Sequence, residues 1–358
     1  MTRPGAPARG GYSLPRVTGV SLVIPLHDEA TSLAALIASI DTQRRPPDEV
    51  ILIDGGSTDG TLNLARQLLS GRKTMQVIEA GPATPGRGRN VGRSAAQQPW
   101  IAFTDAGIEL DPSWLEKLVE AAEHHPDVQV VYGTYEPVVR SFLDSCALGA
   151  YVSPRHSHHA GMVRGPSVAS MMIRSVTFDD VGGFPDLRAA EDLIFFDRLD
   201  RHGDQVAWAP DAIANWHLPP SITATFRRFR LYSLHNVLAG RQRNWHYGVA
   251  RLYAGALVVV TAGVVLDRRA FAALPVGVLV RSALNLGRHR QERGLVFAVN
   301  PVRIAGVAGL IVLIDIATFT GWIDAWRATR RTRVNAASSC PGSGPAPRRY
   351  PGTRLRTG

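Results

Sequence analysis

The chain has 358 residues, 45% of them hydrophobic, with Lys+Arg 40 against Asp+Glu 30 and a formal net charge of +10. That length holds one large α/β domain with an appendage, or two modest domains, around a sizeable buried core. Its two cysteines, Cys146 and Cys340, are far apart; they exclude a disulfide framework, lack zinc-site spacing and fit a reducing compartment.

The basic excess suits nucleotide phosphates, an acidic membrane surface or nucleic acid. Arginine is dense around Arg227–Arg230, Arg241–Arg251, Arg281–Arg293 and after Arg327, mostly beside apolar runs. That placement favours a membrane over nucleic acid. Residues 1–16 are rich in Pro, Gly and Arg and lack the apolar stretch of a secretory signal. They are expected to be disordered, and the domain that follows is expected in the cytoplasm.

Val20–Pro25, Glu49–Asp54, Met75–Glu79 and Trp100–Asp105 read as buried parallel strands. Between them, Thr31–Ile40 has helical spacing. Gly55–Gly60 is a turn opening a helix through Leu69, with Ser57 or Thr58 as its cap. Gly81–Gly92 reads as a glycine-rich basic loop running into a helix. Asp111 and Pro112 start another helix as cap and first residue. This alternation implies an open, mostly parallel sheet with helices on both faces and ligands beyond the carboxyl ends of the strands. Asp54 and Asp105 stand at two of those ends; each taken alone also fits a cap of the turn that follows.

From Leu252 the texture changes. Leu252–Leu266 and Phe271–Val280 are apolar but short, and Ile304–Ile323 reaches the ~20 residues a spanning helix needs. Trp245 and Tyr247 suit a bilayer interface. The expected organisation is a disordered segment (1–16), an α/β domain (17–230), an interfacial or transmembrane helical region (231–327) and a disordered basic tail (328–358).

A reaction that displaces a nucleoside diphosphate must grip the nucleoside, neutralise the diphosphate and take a proton from the attacking group. The turn from Pro25 to Glu29 and Asp54 are candidates for the grip, Arg87 and Arg89 for the phosphates, and Asp105 for a divalent cation. Asp192 is the candidate base, oriented by Glu191, at a helix start after Val181–Asp186. Asp59 fits the first turn of its helix through the dipole. His156, His158 and His159 lack metal-site spacing and read as a loop near the acceptor side.

These segments resemble family 2 glycosyltransferases of the GT-A fold from about Val20 to His217. The resemblance is carried by Val20–Glu29, by Val50–Thr61, by Arg89 and Asn90 before a small-residue helix, by Phe103–Gly107, by Val181–Phe184 and by Glu191–Asp192. It implies a mixed, mostly parallel sheet and transfer of a hexosyl or related group from a nucleotide sugar, with inversion. The acceptor hydroxyl would belong to a lipid-linked or cell-envelope glycan. The first-strand turn and Asp54 would contact the nucleoside, Arg87, Arg89 and Asn90 would serve the donor, and Asp192 would be the base. Asp105 matches the first acid of the Asp-x-Asp metal motif for Mg²⁺ or Mn²⁺, and Gly107 replaces the last. Three arrangements follow: metal on Asp105, water and diphosphate with His217 as a further ligand; Glu109 as substitute; or no metal, with Arg87 and Arg89 neutralising the leaving group. The resemblance together with the apolar segments places the protein at the cell membrane, catalytic domain on the cytoplasmic side. A nucleotidyltransferase on a similar sheet and a catalytically degenerate scaffold are the rival readings.

Overall fold

A computed structural model describes residues 17–243 and 245–338. The expected disordered N-terminus, the tail beyond residue 338 and Cys340 lie outside the described residues. The chain begins β1 (Val20–Leu26), α1 (Leu33–Asp41), β2 (Glu49–Asp54), α2 (Thr61–Leu69), β3 (Met75–Glu79), α3 (Pro85–Ala95) and β4 (Trp100–Phe103). The four expected strands are present, because each is an unbroken apolar run with both faces to bury. Leu22, Ile24 and Leu52 point to one face, among α1, α2 and later helices. Val23, Ile51, Ile53 and Phe103 point to the other. This alternation is the two-residue period of a strand read on both sides of one sheet.

Next come β5 (Ile108–Leu110), α4 (Trp114–His124), β6 (Val130–Val138), α5 (Phe142–Tyr151), β7 (His156–His158), β8 (Gly161–Val163), β9 (Met171–Arg174), α6 (Ser175–Asp180), α7 (Glu191–His202) and β10 (Val206–His217). The main sheet has the order β3-β2-β1-β4-β9-β6-β10-β5. β1 pairs in parallel with β2 and β4, and β2 with β3. β6 and β10 are parallel, while β9 runs antiparallel to β4 and β6, and β5 antiparallel to β10. The result is a mixed, mostly parallel sheet, as the resemblance implies. Its order reverses at β1, where β2 and β4 leave on opposite sides; the carboxyl ends of β1, β2 and β4 bound the crevice such a reversal creates.

Several local expectations are corrected. The glycine-rich stretch is not a loop: Pro85–Ala95 is α3 itself, with Thr84 accepting from the Arg87 amide and Pro85 at its first position. α2 starts at Thr61, and neither Ser57 nor Thr58 caps it; Asp59 accepts from the Thr61 amide instead. α4 starts at Trp114, with Asp111 holding the Ser113 amide just before it. His156 and His158 lie in a small antiparallel hairpin formed by β7 and β8, not a loop.

The remaining helices are α8 (Ile222–Leu238), α9 (His246–Val265), α10 (Ala273–Arg288), α11 (Arg290–Arg293), α12 (Leu295–Val299) and α13 (Pro301–Ser338). A boundary at residue 230 falls inside α8, and the stretch 328–338, expected as tail, continues α13. Among the described residues, His246–Val265, Arg268–Arg288 and Pro301–Arg330 are long and apolar enough to cross a membrane. They differ in their surroundings. α9 and α10 leave Leu257, Val258, Val264, Val265 and Val276 more than half exposed. α13 instead packs along α5 and α8. Val307, Leu310 and Ile311 join a core with Cys146 and Leu148, the Ser233 hydroxyl donates to the Thr318 carbonyl, and Arg230 pairs with Asp324 at 2.6 Å.

Candidate active site

Two turns meet at the first end of the crevice. Asp28, in left-handed backbone (φ 57°), donates its amide to Ser57 at 3.0 Å and accepts from the Thr58 amide at 2.7 Å. The Glu29 amide donates to the Thr61 hydroxyl. Ser57 and Thr58 thus clasp the end of β1 to the end of β2. Asp54 sits behind this clasp, 1% exposed. Its Oδ2 accepts from the amides of Gly56 and Ser57, and its buried Oδ1 has no partner among the described residues. An unpaired carboxylate oxygen at a strand end is costly unless a ligand donor meets it.

The second cluster is built on α3 and α7. Arg89 is buried and bridges two carboxylates, Nη2 to Asp105 Oδ1 at 2.7 Å and Nη1 to Glu191 Oε1 at 2.9 Å. Asn90 donates to the Phe184 carbonyl and accepts from the Phe184 amide, each within 2.9 Å. These bonds fix the turn that delivers Ala190, in left-handed backbone, to the start of α7. Asp192 follows Glu191 at the cavity floor. Burial, with the adjacent Glu191 carboxylate, pushes its carboxyl up to about 6.

Pro25, Glu29, Arg89, Asp105, Glu191, Asp192 and His217 line a single cavity of about 800 Å³. Asp54 lies at the β2 end beside it, next to Gly55 of the lining. Burial raises the Glu29 carboxyl there, against the Ser32 hydroxyl bonded to it. The residues singled out in sequence are therefore brought together, with three corrections of part. Arg89 and Asn90 are engaged by protein groups, though the buried Nε of Arg89 has no partner among the described residues. Arg87 is exposed on α3 and does not line the cavity. The glycines nearby serve packing: a Cβ on Gly88 would meet Pro25, and one on Gly92 would overlap Val23.

The expected cation set does not assemble. Asp105 is paired with Arg89, Gly107 faces open space, and His217 Nε2 and Glu109 Oε1 lie 2.7 Å apart, engaging each other. Among the described residues there is no group of three or more His, Cys, Asp or Glu side chains placed to hold a metal. Asp105 offers one half-exposed carboxylate, so a hard divalent cation held there would draw its other oxygens from water and the diphosphate.

The Glycosyl transferase family 2 model matches residues 21–159. That stretch holds the β1 turn, Asp54, Arg89 and Asp105 in the order the fold requires. Residues 21–159 form a glycosyl transferase family 2 segment. The chain is 25% identical over 207 residues to glycosyltransferase AglE of Haloferax volcanii, covering 54% of this chain and 65% of that protein, under two-thirds of its length. It is 25% identical over 300 residues to succinoglycan biosynthesis protein ExoA of Rhizobium meliloti, covering 75% of this chain and 85% of that one. Among solved structures it is similar to mannosyltransferase PcManGT of Pyrobaculum calidifontis in complex with GDP-Man and Mn²⁺, with a TM-score of 0.49 and 16% identity, over 85% of this chain and 89% of that one.

Beyond the matched residues, α8 and the segment after it close one wall of the cavity with Arg227, Arg228, Leu231, Tyr232, Asn236 and Trp245. The dense arginines of this stretch were visible in sequence, but as a basic run beside apolar helices. Nothing in their spacing shows that α8 turns them toward Asp105.

Proposed function

We propose that the protein transfers a sugar from a nucleotide-sugar donor to an acceptor hydroxyl, with inversion at the anomeric carbon. The supporting observation is the meeting of the β1 and β2 ends, Asp105 and Asp192 around one cavity. Asp54 and the Asp28–Thr58 clasp receive the nucleoside; the unpaired Oδ1 of Asp54 awaits a donor from it. Asp192 takes the proton from the acceptor hydroxyl as its oxygen attacks the anomeric carbon. Arg89 ties α3 to α7, so that Glu191 and Asp105 stay fixed while Asp192, with no basic partner of its own, keeps the higher proton affinity a general base needs near neutrality.

The acceptor is lipid-linked or an envelope glycan presented at a membrane. Trp245, immediately before α9, belongs to the cavity wall, so the cavity lies beside the exposed apolar helices. The catalytic domain faces the cytoplasm in this reading.

The test is release of free nucleotide from a panel of nucleotide sugars, with membrane extract supplying acceptor. Asp192→Asn is expected to lower turnover about 10²- to 10⁴-fold with donor binding retained; weakened binding with intact turnover would remove Asp192 from its role. The incomplete cation set favours one rival, a catalytically degenerate scaffold. Donors that bind and never turn over, with either extract or purified lipid acceptor, would establish that reading instead.

A further inference from the structure

An inverting displacement sends the electron pair of the breaking C–O bond onto the diphosphate, while the acceptor oxygen bonds to the anomeric carbon and its proton passes to Asp192. The departing diphosphate needs positive charge, and the usual supplier, a cation on two acids, finds one of them here, Asp105, with Gly107 in place of the other. Arg89, the nearest buried cation, is held by Asp105 and Glu191.

Of the other guanidiniums lining the cavity, on Arg188, Arg227 and Arg228, the last is differently placed. Arg228, on α8, lines the cavity, stands 5.8 Å from the Trp216 ring centroid, and has a buried Nη1 with no hydrogen-bond partner. Among the described residues no carboxylate pairs with it, whereas Arg230 on the same helix pairs with Asp324, and Arg241 beyond the helix with Asp197. Its charge reaches Glu29 at the β1 turn, and Tyr232 feels both Arg228 and the Asp105, Glu191 and Asp192 carboxylates. A buried N–H without a partner, on a side chain that lines a polar cavity, is a donor short of an acceptor.

We propose that Arg228 is the diphosphate ligand of this chain, with Arg227 beside it, and that it neutralises the leaving group without a divalent cation. This rests on the transferase reading and deepens it. A guanidinium offers paired donors to phosphate oxygens, and the Trp216 face fixes its plane. The acceptor side of the cavity and the leaving-group side are then both defined by α7 and α8, which flank Asp105.

The experiment is calorimetric titration of the full-length protein with UDP, GDP, ADP, CDP and dTDP, each with EDTA and again with Mn²⁺ or Mg²⁺. At least one diphosphate is expected to bind with EDTA, and metal is expected to change its affinity less than about threefold. Arg228→Met is expected to weaken that diphosphate about ten- to a hundredfold, the loss of a charge-assisted contact, while leaving the matching nucleoside within about twofold. Arg228→Lys restores part of the loss. Should the Met variant not fold, Arg228→Lys and the wild-type comparison of EDTA with metal still decide. Binding only with metal, or undiminished affinity in either variant, overturns the inference and leaves the transferase reading standing. If no diphosphate binds under any condition, both fall together.

Discussion

Arg89 and Asp192 stand two residues of logic apart: one is a cation with two anionic partners, the other an anion with none. The contrast assigns their parts. Arg89 and Glu191 form a buried pair whose value is positional, since a pair taken from water returns little net stability. Asp192 is left with an elevated proton affinity, at about 6. A base works only when ionised, so the sign is fixed: kcat/KM should be flat above about pH 7, reach half its plateau near 6, and fall about tenfold per pH unit below 5. A pH–rate profile on the wild type checks this; a profile with no inflection between 5 and 7 removes Asp192 as the titrating group. In the sequence, Asp54, Asp105, Glu191 and Asp192 were legible because each closes a recognisable apolar run or opens a helix. The engagement of Arg89, the pairing of His217 with Glu109 and the unpartnered donor of Arg228 were not. They depend on which side chains the sheet brings face to face, and no local spacing encodes that.

At the scale of elements, legibility followed burial. β1, β2 and β4 are buried on both faces and show as continuous apolar runs. β6 and β10 carry Pro137 and Pro210, and the register of their pairing shifts between Trp208 and Ile213, so their pattern is broken in the sequence. α3 was misread because its glycines resemble a loop. They are the price of laying a helix directly on the sheet. Gly92→Ala would set a methyl over Val23 and within 2.7 Å of Ile53 Cδ1, and overpacking of this kind costs about 1–3 kcal/mol; chemical denaturation should show that loss. A second element, α11, is docked electrostatically. Arg164, fully buried, bonds to both Glu136 and Glu292. Burial opposes the Glu292 charge, but bonds from His289 and Arg164 hold its carboxyl down to about 2. A depressed carboxyl stabilises the fold above its ordinary value of 4.5 and loses that contribution as pH falls toward 2. Glu292→Gln should therefore lower the thermal midpoint at pH 7, and wild type and variant should converge as pH approaches 2.

At the scale of the whole molecule, the three apolar helices divide into two kinds. α9 turns Leu257, Val258, Val264 and Val265 outward at 66–74% exposure, and exposed apolar side chains so close together mark an interaction surface. α13 is as apolar by sequence but gives one side to α5 and α8. Hydropathy alone treats the three alike; only packing separates them. Replacing those four residues by serine should move the protein from the membrane pellet toward the supernatant after gentle lysis, with nucleotide affinity unchanged. A variant that stays in the pellet would show that α13 or another surface provides the attachment.

The late position of α13 has a consequence for synthesis. α5 and α8 are translated long before Pro301, and until α13 docks their apolar sides remain bare. A chain that stops short of residue 301 leaves the seam between α5 and α8 uncovered.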